Sequence, residues 1–231
     1  MPRPVYKALA ALLFYPTDEL QAALPAIAAC VREEAGLGRR TRRALDALVV
    51  RLAGDDLYTL QENYVLLFDR SRSLSLHLFE HIHGESRDRG QAMTDLLALY
   101  ERHGLAMTER ELPDYLPLFL EFLSLLPGDA AAELLGQTAH ILDALATRLA
   151  RRDSPYAAVF EALCALAESP PAGVEPLVTP HEDDPADLAA LDRAWEDAAV
   201  TFMGGAGAPG PACPASADVP PFLPPHPVTR A

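Results

Sequence analysis

The chain has 231 residues, half of them hydrophobic, and 33 acidic against 19 basic side chains give a formal net charge of -14. With a sequence pI of about 4.8, it lacks the overall basic character that nucleic acids and anionic membranes select for, so neither partner class is expected. The composition suits a soluble protein, or one whose partner is itself basic.

No stretch reaches the ~18–20 apolar residues of a membrane span. The apolar run before Pro16 is broken at once and is not followed by a small-residue cleavage site, so neither a signal peptide nor direct membrane insertion is expected. The expected location is cytoplasmic. Cys30, Cys164 and Cys213 are widely spaced and odd in number, which argues against a disulfide framework or a zinc knuckle. Cys30 and Cys164 lie among Ala, Leu and Val at helical spacing and read as small buried hydrophobes.

Taken in order, residues 5–14 read as a short apolar helix ended by Pro16. Thr17 caps the next helix, Asp18 and Glu19 suit its N-terminal dipole, and Leu20, Leu24, Ile27 and Val31 form its apolar stripe. Gly36 and Gly38 end it. Arg39, Arg40, Arg42 and Arg43 then open a helix through Leu45, Leu48, Val49 and Leu52. Four cations oppose the dipole at a helix start, and a solvated face is the reading. Gly54-Asp55-Asp56 is a turn and cap for a helix from Leu57 to Phe68 through Leu60, Tyr64 and Leu67.

Ser73 is expected to cap a helix over residues 74–83 that Gly84 stops. Ser86 or Asp88 restarts a helix through Met93, Leu96, Leu97 and Tyr100 to Gly104. Thr108 and Glu111 have capping-box spacing. Pro113 and Pro117 then punctuate one turn before a nearly all-apolar helix over residues 118–126, expected to be the most buried. Asp129 caps one long helix over residues 130–151, with Leu134, Ile141, Leu145 and Leu149 in register. Ser154-Pro155 starts another to Glu168. After the Ser169-Pro170-Pro171 loop, Asp184-Pro185 starts a last helix through Leu188, Leu191 and Trp195, the lone tryptophan and an expected core anchor. No strand is expected. From Gly204 onward, Gly, Pro and Ala recur without periodicity and cannot offset the entropy of ordering. The architecture expected is all-α: one helical bundle over residues 1–203 and a disordered Gly/Pro/Ala-rich C-terminal tail over residues 204–231.

The chemistry concentrates in residues 68–93. Asp69, Arg70, Arg72, Glu80, Glu85, Arg87, Asp88 and Arg89 crowd around His77, His81 and His83. His77-Leu78-Phe79-Glu80-His81 matches the inverted zincin pattern HxxEH. On a helix it would place His77 and His81 one turn apart on one face, with Glu80 as base for a zinc-bound water. A zinc-dependent hydrolase is therefore one reading. It needs a third ligand, for which Glu101, Glu111 and Glu121 are equal candidates, and the nearby arginines disfavour a divalent cation. A second reading is a polar network pinning helices together. A third is a peptide-binding surface built from alternating Arg and carboxylate groups. With no phosphate loop, nucleophile elbow or dinucleotide fingerprint in the chain, the residues favour a binding module over an enzyme. His103, before a Gly stop, and His140, in an amphipathic helix, read as structural.

Four segments carry a resemblance: LLFYPTDEL, SLSLHLFEHIHGESRDRGQAM, ELPDYLPLFLEFLSLLP and AWEDAAVTF. In this order they closely resemble the NarJ-type assembly chaperones of respiratory nitrate reductase, part of the redox-enzyme maturation group that includes the TorD and DmsD types. The resemblance spans residues 5–202. It implies an all-helical, TorD/DmsD-like cytoplasmic chaperone with no catalytic chemistry, no metal site and no cofactor of its own. It further implies binding of the immature catalytic (alpha) subunit of nitrate reductase, including its N-terminal leader remnant, so that the molybdenum cofactor can be inserted. Molybdenum cofactor delivery proteins are a further implied class of partner. TorD and DmsD relatives border the leader groove with an E-P-x-D-H loop. The matching run here is Glu111-Leu112-Pro113-Asp114-Tyr115, which keeps the proline and aspartate and has tyrosine in place of histidine. The candidate client-binding set is therefore Asp69, Arg70, Arg72, His77, Glu80, His81, Glu85, Arg87, Asp88, Arg89, Glu111, Pro113, Asp114 and Tyr115.

Overall fold

The computed structural model describes residues 2–70, 72–82, 87–106 and 111–167. Among these, α-helices occur in the order α1 (Val5–Leu13), α2 (Asp18–Glu33), α3 (Arg39–Gly54), α4 (Leu57–Tyr64), α5 (Arg87–Arg102), α6 (Leu116–Leu123), α7 (Gly128–Gln137), α8 (Ala139–Arg151) and α9 (Ala157–Leu166). No strand occurs among the described residues. Two isolated antiparallel bridges, Pro2 with Pro127 and His77 with Tyr115, are the extended pairings there. The all-α class is as expected.

Helix α1 is the hub, packing against α2, α6 and α9. Its Val5, Tyr6, Leu9, Leu12 and Leu13 are almost wholly removed from water. Helix α6, the helix expected to lie deepest, has no exposed residue, only Leu118 and Glu121 being partly exposed, whereas α1 leaves Lys7 in solvent. Fully burying one large apolar side chain is worth about 1.5–3 kcal/mol, so these two helices and α9 carry much of the core. Thr17 caps α2 as expected, accepting the Leu20 N–H at 3.2 Å, and Leu20, Leu24, Ile27 and Val31 are buried. Asp56 caps α4 by accepting the Thr59 N–H at 3.0 Å. At the arginine-rich start of α3, Arg39, Arg40 and Arg43 are exposed, but Arg42 donates to the Glu34 carbonyl and so closes the end of α2. Cys30 and Cys164 are half-buried beside the core.

Three expected helices differ. The helix from Leu57 changes to a π-turn over Val65–Asp69, closed by the Arg70 N–H donating to the Val65 carbonyl at 3.2 Å. The wider turn keeps Tyr64 and Phe68 on the core side, ring centroids 5.0 Å apart. The expected helix over residues 130–151 breaks at Thr138, whose hydroxyl donates back to the Leu135 carbonyl at 2.8 Å and competes with the helical ladder. The break turns Leu135, rather than Leu134, into the core, while Ile141, Leu145 and Leu149 are buried as expected. Asp129 sits inside the first turn of α7 and Pro127 holds the cap position.

The third correction matters most for function. No α-helix covers residues 74–82. Two 3₁₀ turns, Arg72–Leu74 and Leu78–Glu80, flank an extended step at His77. The Gly84 stop, the Thr108 cap, the final helix with Trp195, Cys213, and the tail from Gly204 lie outside the described residues.

Candidate functional site

The site forms where residues 75–82 meet residues 111–116. The Leu78 N–H donates to the Asp114 carbonyl at 3.0 Å, and the Leu116 N–H donates to the Leu76 carbonyl at 2.8 Å. In a helix, Leu78 and Phe79 would bond four residues back. Here both donors turn to Asp114, because its carboxylate also accepts the Phe79 N–H at 3.0 Å. Ser75 adds a local competitor, its hydroxyl accepting the His77 N–H at 3.2 Å. A tertiary partner thus outbids the helix.

Asp114 is fully buried. A buried carboxylate survives only when paired and hydrogen-bonded, and its second partner is His77, whose Nδ1 lies 3.3 Å from Oδ1. This contact holds the His77 imidazole above its ordinary pKa. Burial opposes the shift, and Asp114's charge and Glu80 reinforce it. The His77 ring leans on Tyr115 with centroids 5.4 Å apart, and Tyr115 meets Phe14 edge-on at 6.0 Å. The Tyr115 hydroxyl lies 3.4 Å from that of Tyr64, which donates to the Leu13 carbonyl at 2.8 Å. Burial raises the Tyr115 phenol, the hydrogen bond with Tyr64 opposes this, and Glu111 and Asp69 add to it.

His81 faces a different partner. Its Nε2 donates to the Ser75 carbonyl at 2.8 Å, and burial pushes its pKa down, with Arg148 opposing protonation as well. Arg148, itself buried, donates to the Ser73 carbonyl at 2.9 Å. Glu80 pairs with Arg89 at 3.3 Å, tying this segment to α5. Pro113 is buried, and its carbonyl accepts the Tyr100 hydroxyl at 2.8 Å.

The expected set therefore divides. His77, Asp114 and Tyr115 are in mutual contact, Pro113 is tied to α5, and Glu80 and Arg89 form a pair beside them. Asp69, Arg70, Arg72, Asp88 and Glu111 are exposed. Arg87 opens α5, and Glu85 lies outside the described residues. The zinc reading loses its basis: His77 and His81 share no helix face, and each ring nitrogen described above is engaged by Asp114 or Ser75. Among the described residues no group of three His, Cys, Asp or Glu side chains could hold a metal ion. Sequence reasoning missed Tyr64, Tyr15, Phe14 and Tyr100, the aromatic frame of the site. For Phe14 and Tyr15 the signal was the Phe14-Tyr15-Pro16 run at a helix end, whereas Tyr64 and Tyr100 read only as apolar positions of their helices.

A separate pocket of about 190 Å³ opens between α3, α4 and the α8–α9 turn, lined by Arg51, Leu52, Leu60, Arg152 and Tyr156 among others. It is smaller than the ~300–1,000 Å³ of small-molecule sites. Among the described residues no helix is long and apolar enough to cross a membrane.

The sequence model of the family described as "Nitrate reductase delta subunit" matches residues 19–162. The chain is 42% identical over 199 residues to the nitrate reductase molybdenum cofactor assembly chaperone NarJ of Escherichia coli (strain K12), covering 85% of this chain and 84% of that protein. It is 44% identical over 201 residues to the probable chaperone NarW of the same strain, covering 86% and 84%. A probable NarJ chaperone from Bacillus subtilis (strain 168) is 35% identical over 164 residues, covering 71% and 88%. Together with the all-α fold, these matches show that the chain belongs to the nitrate reductase delta subunit family, as one of its NarJ-type assembly chaperones and not as a catalytic enzyme.

Proposed function

We propose that the chain binds the immature catalytic (alpha) subunit of a respiratory nitrate reductase in the cytoplasm, through that subunit's N-terminal leader. It holds the subunit competent for molybdenum cofactor insertion and then leaves. The observation that carries this reading is the clasp of residues 76–79 on residues 114–116. It builds a half-exposed face of Tyr115, His77 and their neighbours, with exposed Leu112 and Ile82 on the two segments that form it. Such a face suits a helical peptide that lays apolar side chains into it.

Of the candidate set, exposed Asp69, Arg70, Arg72, Asp88 and Glu111 and partly exposed His77, Glu80, His81, Arg89 and Tyr115 would meet the client, while buried Pro113 and Asp114 shape the face from beneath. The net charge of -14 favours a basic leader and makes the association sensitive to salt. A chaperone must also release, so moderate affinity is expected. The reading is tested in cells that lack their own chaperone of this type. Supplying this chain should restore molybdenum to the purified catalytic subunit. A catalytic subunit that stays molybdenum-free, with the chaperone present and folded, would refute it.

A further inference from the structure

A helix through residues 73–79 would pair the His77 N–H with the Ser73 carbonyl and the Phe79 N–H with the Ser75 carbonyl. Here the four groups go elsewhere. The His77 N–H donates to the Ser75 hydroxyl at 3.2 Å, and the Phe79 N–H to the Asp114 carboxylate at 3.0 Å. The Ser75 carbonyl accepts from His81 Nε2 at 2.8 Å, and the Ser73 carbonyl accepts from Arg148 Nη1 at 2.9 Å. The two partners that come from outside the segment are matched by charge: a carboxylate covers an amide, and a guanidinium from α8 covers a carbonyl.

Burial singles out the same residues. Among the described residues the buried polar or charged side chains, tyrosine apart, are Ser75, Asp114, Ser124 and Arg148. Three of these four make the bonds just named. Taking a guanidinium out of water is costly, and buried charges can often be replaced by apolar side chains of similar volume without loss of stability. Core packing alone therefore does not call for an arginine at position 148. What arginine supplies is a planar set of fixed donors that reaches a backbone carbonyl on a neighbouring element.

We infer that Arg148 is a positioning residue of the client face, the counterpart on α8 of Asp114. Asp114 takes the donors of Leu78 and Phe79, and Arg148 occupies the Ser73 carbonyl. The step at His77 thereby stays extended and bridged to Tyr115. Arg148 is buried and acts on the client only through the segment it holds. The inference rests on the client-binding reading and names the residue through which α8 sets the shape that a client meets. Without Arg148 the Ser73 carbonyl is again open to the His77 N–H, and the segment regains a route to the helix that its local pattern favours. Only the fraction that keeps the extended step then binds.

The test compares the full chain with Arg148→Met, Arg148→Lys and a core truncation on α9, Leu163→Ala. Each is titrated calorimetrically with a synthetic peptide of the catalytic subunit's N-terminal sequence, at a temperature where thermal melts show every protein folded. Arg148→Met should bind about five- to tenfold more weakly, the loss expected when the competent form falls to about a tenth to a fifth of the population. Arg148→Lys, which keeps a charged donor, should recover part of that loss. Leu163→Ala should melt lower yet bind like the wild type. The Cα chemical shifts of residues 76–79 should move toward helical values in Arg148→Met and stay in place in Leu163→Ala. Should Arg148→Met not fold, Arg148→Leu takes its place with the same expectations. If the apolar variant binds as tightly as the wild type, if Arg148→Lys recovers nothing, or if Leu163→Ala weakens binding equally, the positioning role is overturned while client binding stands. If the peptide does not bind the wild type at all, the client-binding reading falls, and this inference with it.

Discussion

The carboxylate of Asp114 accepts the backbone N–H of Phe79 at 3.0 Å across a sequence separation of 35 residues. That bond replaces a helical hydrogen bond and sets the conformation of the HxxEH segment. Asp114 therefore contributes to the site by shaping it, from a position without solvent exposure. Asp114→Ala should cost about 1–3 kcal/mol for the orphaned Phe79 donor alone, and more with the loss of His77. Asp114→Asn, which keeps an acceptor for Phe79, should cost less. Urea denaturation of the two variants against wild type checks the order.

The two described histidines of the segment should titrate in opposite directions. The folded pKa of His77 is raised, chiefly by its hydrogen bond to Asp114. Its contribution to stability is thus fully present below the unfolded value of about 6.5 and is lost as pH rises through the folded pKa. His81 is lowered by burial, so its contribution is present above about 6.5 and lost as pH falls through its folded pKa. Ring-proton NMR titration should place His77 above and His81 below the free imidazole. Asp114→Asn should bring His77 back toward the ordinary value and leave His81 nearly unmoved.

Tyr100 holds the loop from inside, donating to the Pro113 carbonyl at 2.8 Å while its ring packs on Phe122 at 4.8 Å. Tyr100→Phe keeps the packing and removes only the donor. A loss of about 1 kcal/mol is expected, with faster amide exchange at Leu78 and Leu116 if the clasp loosens as a unit. Unchanged exchange at both amides would mean that Pro113 is held by other contacts.

Between α8 and α9, Asp153 adopts φ +50°, in the left-handed region. Asp tolerates this conformation better than a β-branched residue does. Asp153→Gly should be neutral or stabilising, and Asp153→Val should cost about 1–2 kcal/mol. Thermal melts of the pair distinguish backbone strain from side-chain contact, since both substitutions remove the carboxylate.

Much of this architecture could be read from local signals. Thr17, Asp56 and the Leu20-Leu24-Ile27-Val31 stripe act within one or two helical turns, and the structure follows them. What local patterns could not reveal are the points where a distant partner wins. Leu78 and Phe79 look helical until Asp114 takes their hydrogen bonds, and His77 until Ser75 takes its own. Thr138 looks like a neutral helix residue until its hydroxyl bonds back to Leu135. The same holds at the site. The motif residues His77, Asp114 and Tyr115 stood out in the sequence, whereas Tyr64 and Phe14 joined them only because the ends of α1 and α4 meet beside Tyr115.

The central claim is that a client leader lies on the face made by residues 76–79 and 112–116. The most direct measurement is an amide NMR titration of the isotope-labelled chain with the leader peptide of the catalytic subunit. The account predicts progressive, saturable shifts centred on Phe79, Leu112 and Tyr115, with a smaller effect at Asp69. Shifts confined to the pocket bordered by Arg51 and Tyr156, or no shifts at saturating peptide, would contradict it.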